Sequence, residues 1–227
     1  MSAAISLADP VAELSDLFER ENPGVEVVLN LAGSGALAAQ IAQGAGVDVF
    51  LSAGPRPMDL LESEVRLVPG TRRDLVSNEL ALVGGSSAPD LRFSSLPTWS
   101  GELALGDPNV VPAGTYAVEV LSAVGAWPWP SDRLVMGESV RQALTFVETG
   151  QVGLGIVYRT DALASDTVTL LDIAPPGSHS PIRYPGAAIA GTREPELARA
   201  FLELVGGPDG VRILFSHGFL RPDEDPA

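Results

Sequence analysis

Apolar positions along this chain switch between two periods, and the switches predict the elements. Val11, Leu14, Leu17 and Phe18 recur at three- and four-residue spacing. They form one face of a helix that Asp9-Pro10 opens as N-cap and first residue and that Pro23-Gly24 stops after Arg20. The stretch VEVVLNLA, 25–32, is rich in β-branched residues and reads as a strand. Helices follow at 35–43 and 57–62, around a strand at 47–51. A strand at 78–83 and a short one at 103–105 precede a helix at 113–124. The helix at 138–148 carries an apolar stripe of Val140, Ala143, Leu144 and Val147. Strands at 154–158, 168–173 and 187–190 lead to helices at 194–205 and 210–216. Such alternation predicts an α/β fold with largely parallel sheets. Right-handed crossovers then gather the strand-to-helix loops on one edge of each sheet, where ligands bind.

Those loops carry the candidate chemistry. Ser6 follows the first extended segment, Ser34 sits between Gly33 and Gly35, Ala113 opens a helix in Pro112-Ala113-Gly114, and Val140 lies in a first helical turn. A helix start presents unpaired N–H groups and the positive end of a dipole, and serine hydroxyls add donors. Several such starts aimed at one point would bind an anion without a cationic side chain. Each alone is also an ordinary cap or tight turn, and the sequence leaves open whether they converge.

Composition narrows the classes. Twenty-nine acids against 14 basic residues, all arginine, give a net charge of -15, which excludes a nucleic-acid partner for lack of a basic face. That charge should also repel an anion, so any anion site here must act through short-range donors. Cysteine is absent, which removes disulfides and thiolate chemistry. No apolar run is long enough to cross a membrane. Enzyme patterns fare poorly. Ser34 in Ala-Gly-Ser-Gly-Ala lacks the nucleophile elbow, no lysine exists for a phosphate-binding loop, and no histidine pair has metal spacing. A hydrolase would have to pair Ser34 with His179 or His217, each of which also reads as a surface or capping histidine. Tyr158 closes a buried strand and reads equally as a structural tyrosine.

Longer strings point further. They are Ala3-Ala4-Ile5-Ser6-Leu7, Ala32-Gly33-Ser34-Gly35-Ala36-Leu37-Ala38, Val47-Asp48-Val49-Phe50-Leu51-Ser52-Ala53, and Gly106-Asp107-Pro108 with Val111-Pro112-Ala113-Gly114-Thr115-Tyr116-Ala117. Ser139-Val140-Arg141-Gln142-Ala143-Leu144 and Leu154-Gly155-Ile156-Val157-Tyr158, the latter followed by Asp161-Ala162, complete the set. In combination they resemble the periplasmic molybdate-binding proteins of ABC-type importers over nearly the whole chain. The resemblance implies a periplasmic-binding-protein type II fold. Two lobes, each a mixed, mostly parallel sheet flanked by helices, are joined by two crossing strands with the ligand in the cleft. The crossings would fall near 78–83 and 187–190, giving lobe one as 1–79 plus 188–227 and lobe two as 80–187. It implies molybdate or tungstate held by hydroxyl and backbone N–H of Ser6 and Ser34, backbone N–H of Ala113 and Val140, and the phenol of Tyr158. It implies no catalysis, no cofactor and no metal beyond the oxyanion, a membrane permease as partner, and a monomer. Homologues carry an export segment and several apolar residues before the first of these strings, where this chain has Met1-Ser2. The expectation is therefore an extracytoplasmic protein with a trimmed or late-assigned start. Sulfate or another tetrahedral oxyanion as ligand, and a cytoplasmic oxyanion sensor, are the alternatives.

Overall fold

The computed structural model describes residues 1–85 and 88–224. In chain order the first elements are β1 (Ser2–Ala4), a 3-10 turn at Ile5–Leu7, α1 (Ala8–Glu21), β2 (Asn30–Ala32), α2 (Ser34–Ala42), β3 (Val49–Leu51), α3 (Pro55–Ser63) and β4 (Arg73–Val76). Next come β5 (Leu80–Gly85), a 3-10 turn at Phe93–Thr98, β6 (Leu103–Gly106), α4 (Pro112–Ala123), β7 (Leu134–Gly137), α5 (Val140–Glu148), β8 (Leu154–Tyr158), α6 (Arg159–Leu163) and β9 (Val168–Ile173). The chain closes with β10 (Tyr184–Ala188), α7 (Pro195–Gly206), α8 (Pro208–Ser216) and a 3-10 turn at Pro222–Glu224.

Two compact units result, one from Met1–Ser77 with Arg183–Asp223 and one built on Asn78–Ile182. The breaks fall at 77/78 and 182/183, a few residues before the expected 79/80 and 187/188. Local bonding explains the shift. The Asn78 amide donates to Thr160 Oγ1 (2.8 Å) and the Arg159 N–H to the Glu79 carbonyl (2.8 Å), binding both residues into the second unit. Tyr184 to Ala188 pair with strands of the first.

Each unit is built on a five-stranded mixed sheet. The first has the order β2-β1-β3-β10-β4 and the second β7-β6-β8-β5-β9. In the first, β2, β1 and β3 are mutually parallel, β10 runs against β3, and β4 runs against β10. The second repeats this, with β7, β6 and β8 parallel, β5 against β8 and β9 against β5. Four strands in each sheet therefore share a direction and one opposes them. The opposing strands, β5 and β10, are the ones that follow the two crossings of the chain.

Strand lengths follow from partner lengths. The expected strand over 25–32 shrinks to Asn30–Ala32, and that over 47–51 to Val49–Leu51, because both pair with β1, which has three residues. The ladder ends where the Asn30 N–H meets the Met1 carbonyl at 3.0 Å. The first helix also starts earlier than expected. The 3-10 turn runs directly into α1 through an Ala8 N–H to Ile5 carbonyl bond, so Asp9 and Pro10 occupy the first turn rather than the cap. β4, β7 and α6 are elements that the sequence pattern did not reveal.

The cores follow the predicted stripes. In the first unit Leu37, Ile41, Phe50, Met58, Leu61 and Ala187 form one buried cluster, and Phe18 of α1 meets Phe201 of α7 edge-to-face at 5.2 Å. In the second, Val140, Ala143, Leu144 and Val147 of α5 are all buried, as are the residues of β5, β6 and β8 from Leu80 to Val83, Leu103 to Leu105 and Leu154 to Tyr158. Each fully buried Val, Leu or Phe contributes roughly 1.5–3 kcal/mol of transfer free energy. These sheets are thus rigid platforms for whatever their edges carry.

Candidate functional site

In the first unit the candidate residues lie beyond the C-terminal ends of two adjacent parallel strands, and in the second at or beyond the ends of three. In the first unit Ser6 lies two residues after β1 and Ser34 two residues after β2. Ser6 sits in the 3-10 turn, 3% exposed, with its hydroxyl 3.3 Å from the Tyr184 hydroxyl. Tyr184 is fully buried and stacked edge-to-face on Phe219 at 5.3 Å, so its ring is fixed. Ser34 is the first residue of α2, after Gly33 as N-cap, and is 1% exposed. Its Oγ accepts the Ala53 N–H at 3.0 Å, just past β3. That bond uses a lone pair and leaves the hydroxyl proton to be donated elsewhere. The Leu37 N–H bonds the Gly33 carbonyl (3.1 Å), so the N–H groups of the first turn have no partner inside the helix.

In the second unit the same edge is made from backbone. β6 ends at Gly106, and the Asp107 carbonyl accepts the N–H groups of Val110 (3.1 Å) and Val111 (2.7 Å) to turn the chain into α4. Val111 caps α4 and Pro112 is its first residue, so Ala113 provides the first N–H of the helix. Gly114 is required here by contact. A Cβ on it would lie 1.9 Å from the Gly106 carbonyl oxygen. The glycine lets α4 seat directly on the end of β6. Val140 is the first residue of α5, where Ser139 Oγ accepts the Gln142 N–H (3.2 Å) and the Gln142 side chain accepts the Glu138 N–H (2.6 Å). This reciprocal cap satisfies the third helical N–H and leaves Val140 N–H without an intrahelical partner. Tyr158 is the last residue of β8 and the N-cap of α6, and it is 1% exposed.

The structure therefore gathers Ser6 with Ser34 at one sheet edge, and Ala113, Val140 and Tyr158 at the corresponding edge of the other. All five are buried and all offer uncharged donors. Among the described residues no cluster of His, Asp or Glu could hold a metal ion. The histidines are engaged elsewhere. His217 Nε2 lies 3.2 Å from Glu13 Oε2, and His179 Nδ1 lies 2.8 Å from the Ser180 carbonyl with its ring against Tyr116. Neither is bonded to Ser34 among the described residues, so the geometry does not assemble a serine–histidine pair.

Sequence reasoning missed four supporting groups. Tyr184 and the Ala53 N–H hold the two serines. Arg141 Nε and Asp161 Oδ1, 2.6 Å apart, join α5 to α6, with the carboxylate fully buried. Arg141 and Asp161 stood in the recognisable strings, but nothing in their spacing showed that they meet.

Each sheet of this order collects neutral donors at one edge, an arrangement suited to holding a solute. The chain belongs to the bacterial extracellular solute-binding protein family, whose model matches residues 1–220. It is similar to the molybdate-binding protein ModA of Escherichia coli, 38% identical over 224 residues, covering 96% of this chain and 86% of that protein. A Bacillus subtilis protein described as the putative ABC transporter substrate-binding lipoprotein YvgL is 37% identical over 221 residues, 96% of this chain and 85% of its own length. In fold, the periplasmic molybdate-binding protein of Azotobacter vinelandii matches with a TM-score of 0.86 at 23% identity, covering 96% of this chain and 97% of that one.

Proposed function

We propose that this chain binds molybdate, and tungstate with it, outside the cytoplasm and delivers it as a monomer to the membrane permease of an ABC importer. The observation that carries the reading is the set of buried, uncharged donors at strand-to-helix junctions in both units. In this reading Ser6 and Ser34 give hydroxyl and N–H bonds, Ala113 and Val140 give N–H bonds, and Tyr158 gives its phenol. No cofactor takes part and no bond in the ligand is made or broken.

Neutral donors answer the charge problem. The net charge of -15 acts through screened solvent, where the Debye length is about 8 Å at physiological salt. A desolvated set of dipoles acts at contact, in a lower dielectric. Donors alone also select by protonation. Molybdate is fully deprotonated at neutral pH and needs only donors. Monohydrogen phosphate brings a proton that must find an acceptor, and leaving it unpaired costs roughly 1–3 kcal/mol. Sulfate passes that filter and is rejected by size, since its shorter bonds leave some donors out of reach. Tungstate matches molybdate in size and charge.

Isothermal titration with molybdate, tungstate, sulfate and phosphate tests this. The expected order is molybdate and tungstate together, sulfate well below, phosphate last. Sulfate binding as tightly as molybdate would reassign the ligand, and phosphate binding as tightly would contradict recognition by donors alone.

A further inference from the structure

The two units tie their donor elements together by different means. In the first, the start of α2 is joined to the segment after β3 by the Ala53 N–H to Ser34 Oγ bond. The corresponding joint in the second unit is an ion pair. Arg141, the second residue of α5, places Nε 2.6 Å from Oδ1 of Asp161, the third residue of α6. Arg141 follows Val140 directly, and Asp161 lies three residues after Tyr158. The Asp161 side chain is fully buried and that of Arg141 is 29% exposed. A carboxyl group at that depth is costly to bury without a cation beside it.

We propose that Arg141 and Asp161 are positioning residues for oxyanion binding: their ion pair locks the start of α5 to the β8–α6 turn and so holds the Val140 N–H and the Tyr158 hydroxyl at a fixed separation. The inference rests on the assignment of Val140 and Tyr158 as donors. Its physical basis is pre-organisation. Two donors on separate elements serve one small rigid anion only if their separation is set before the anion arrives.

The test is a double-mutant cycle read by titration with molybdate, with thermal unfolding run on every variant. Tyr158→Phe is expected to weaken binding about tenfold in the otherwise unchanged protein. In an Asp161→Asn background, where the carboxylate charge is gone, the same Tyr158→Phe change is expected to weaken binding less than about threefold, because the hydroxyl is no longer held in place. Arg141→Lys retains the cation, and in that background the Tyr158→Phe effect should return towards tenfold. A pair that only stabilises the fold would lower the melting temperature and leave the Tyr158→Phe factor at tenfold in every background, which would overturn the proposal. Loss of folding in Asp161→Asn moves the cycle to Arg141→Gln, with the same criteria. If Tyr158→Phe has no effect in the unchanged protein, the donor assignment itself fails and the inference falls with it, an outcome distinct from an unchanged tenfold factor.

Discussion

The two units share a strand order and differ in what they place at its edge. Mapping β2-β1-β3 onto β7-β6-β8 sets Ser34 opposite Val140, each the first residue of the helix that follows an outer strand. It sets Ser6 opposite Ala113, each in the segment that follows the central strand. The third strand is followed by Ser52-Ala53 in one unit and ends at Tyr158 in the other. The first unit thus offers serine hydroxyls beside its peptide groups, and the second offers peptide N–H groups and one phenol. The difference decides how each can be damaged. A hydroxyl is deleted by one substitution, whereas a peptide N–H stays in any variant except proline and must be displaced by moving the backbone that carries it.

The largest effect should therefore come from a backbone seat. Gly114→Ala puts a methyl group 1.9 Å from the Gly106 carbonyl oxygen. It should lower stability by about 3 kcal/mol, measured by denaturant unfolding, and abolish molybdate binding by moving Ala113. Ser34→Ala comes next. It removes a donor and the acceptor of the Ala53 N–H, weakening molybdate binding by about 1–3 kcal/mol in calorimetry and lowering the melting temperature as well. Tyr158→Phe deletes only a hydroxyl and should weaken binding by about 1.4 kcal/mol, near tenfold. Ser139→Ala is the mildest. It removes the α5 cap and lowers stability by about 1 kcal/mol, while molybdate affinity falls less than about threefold. A Ser34→Ala variant that binds like the parent would erase the contrast between the units, since it is the first unit's exposed point of failure.

The sequence made the strands and helices legible where β-branched residues cluster or the apolar stripe is long. The strands at 154–158 and 168–173 form with the bounds expected of them, and α5 and α7 start within two residues. It misjudged 25–29 and 47–48 because β-branched content reports local preference, while a ladder needs a partner, and β1 is short. β7 escaped notice because it is four residues long and carries a single β-branched residue, Val135. At the site, Ser34, Ala113 and Val140 were legible as helix starts because capping is written in neighbouring residues. Tyr158 drew its role from the resemblance alone. The supporting contacts were not legible at all. Ser34 meets Ala53 across 19 residues and Arg141 meets Asp161 across 20, distances set by the packing of whole elements.

In the molybdate reading, Ser34 and Tyr158 each supply a hydroxyl to the bound oxyanion. Calorimetric titration of molybdate into the parent, Ser34→Ala and Tyr158→Phe tests it most directly, since each variant strips one hydroxyl from one unit. One molybdate per chain is expected in the parent, with weaker binding in both variants. Two molybdates per chain, or a loss confined to one of the two variants, would contradict it.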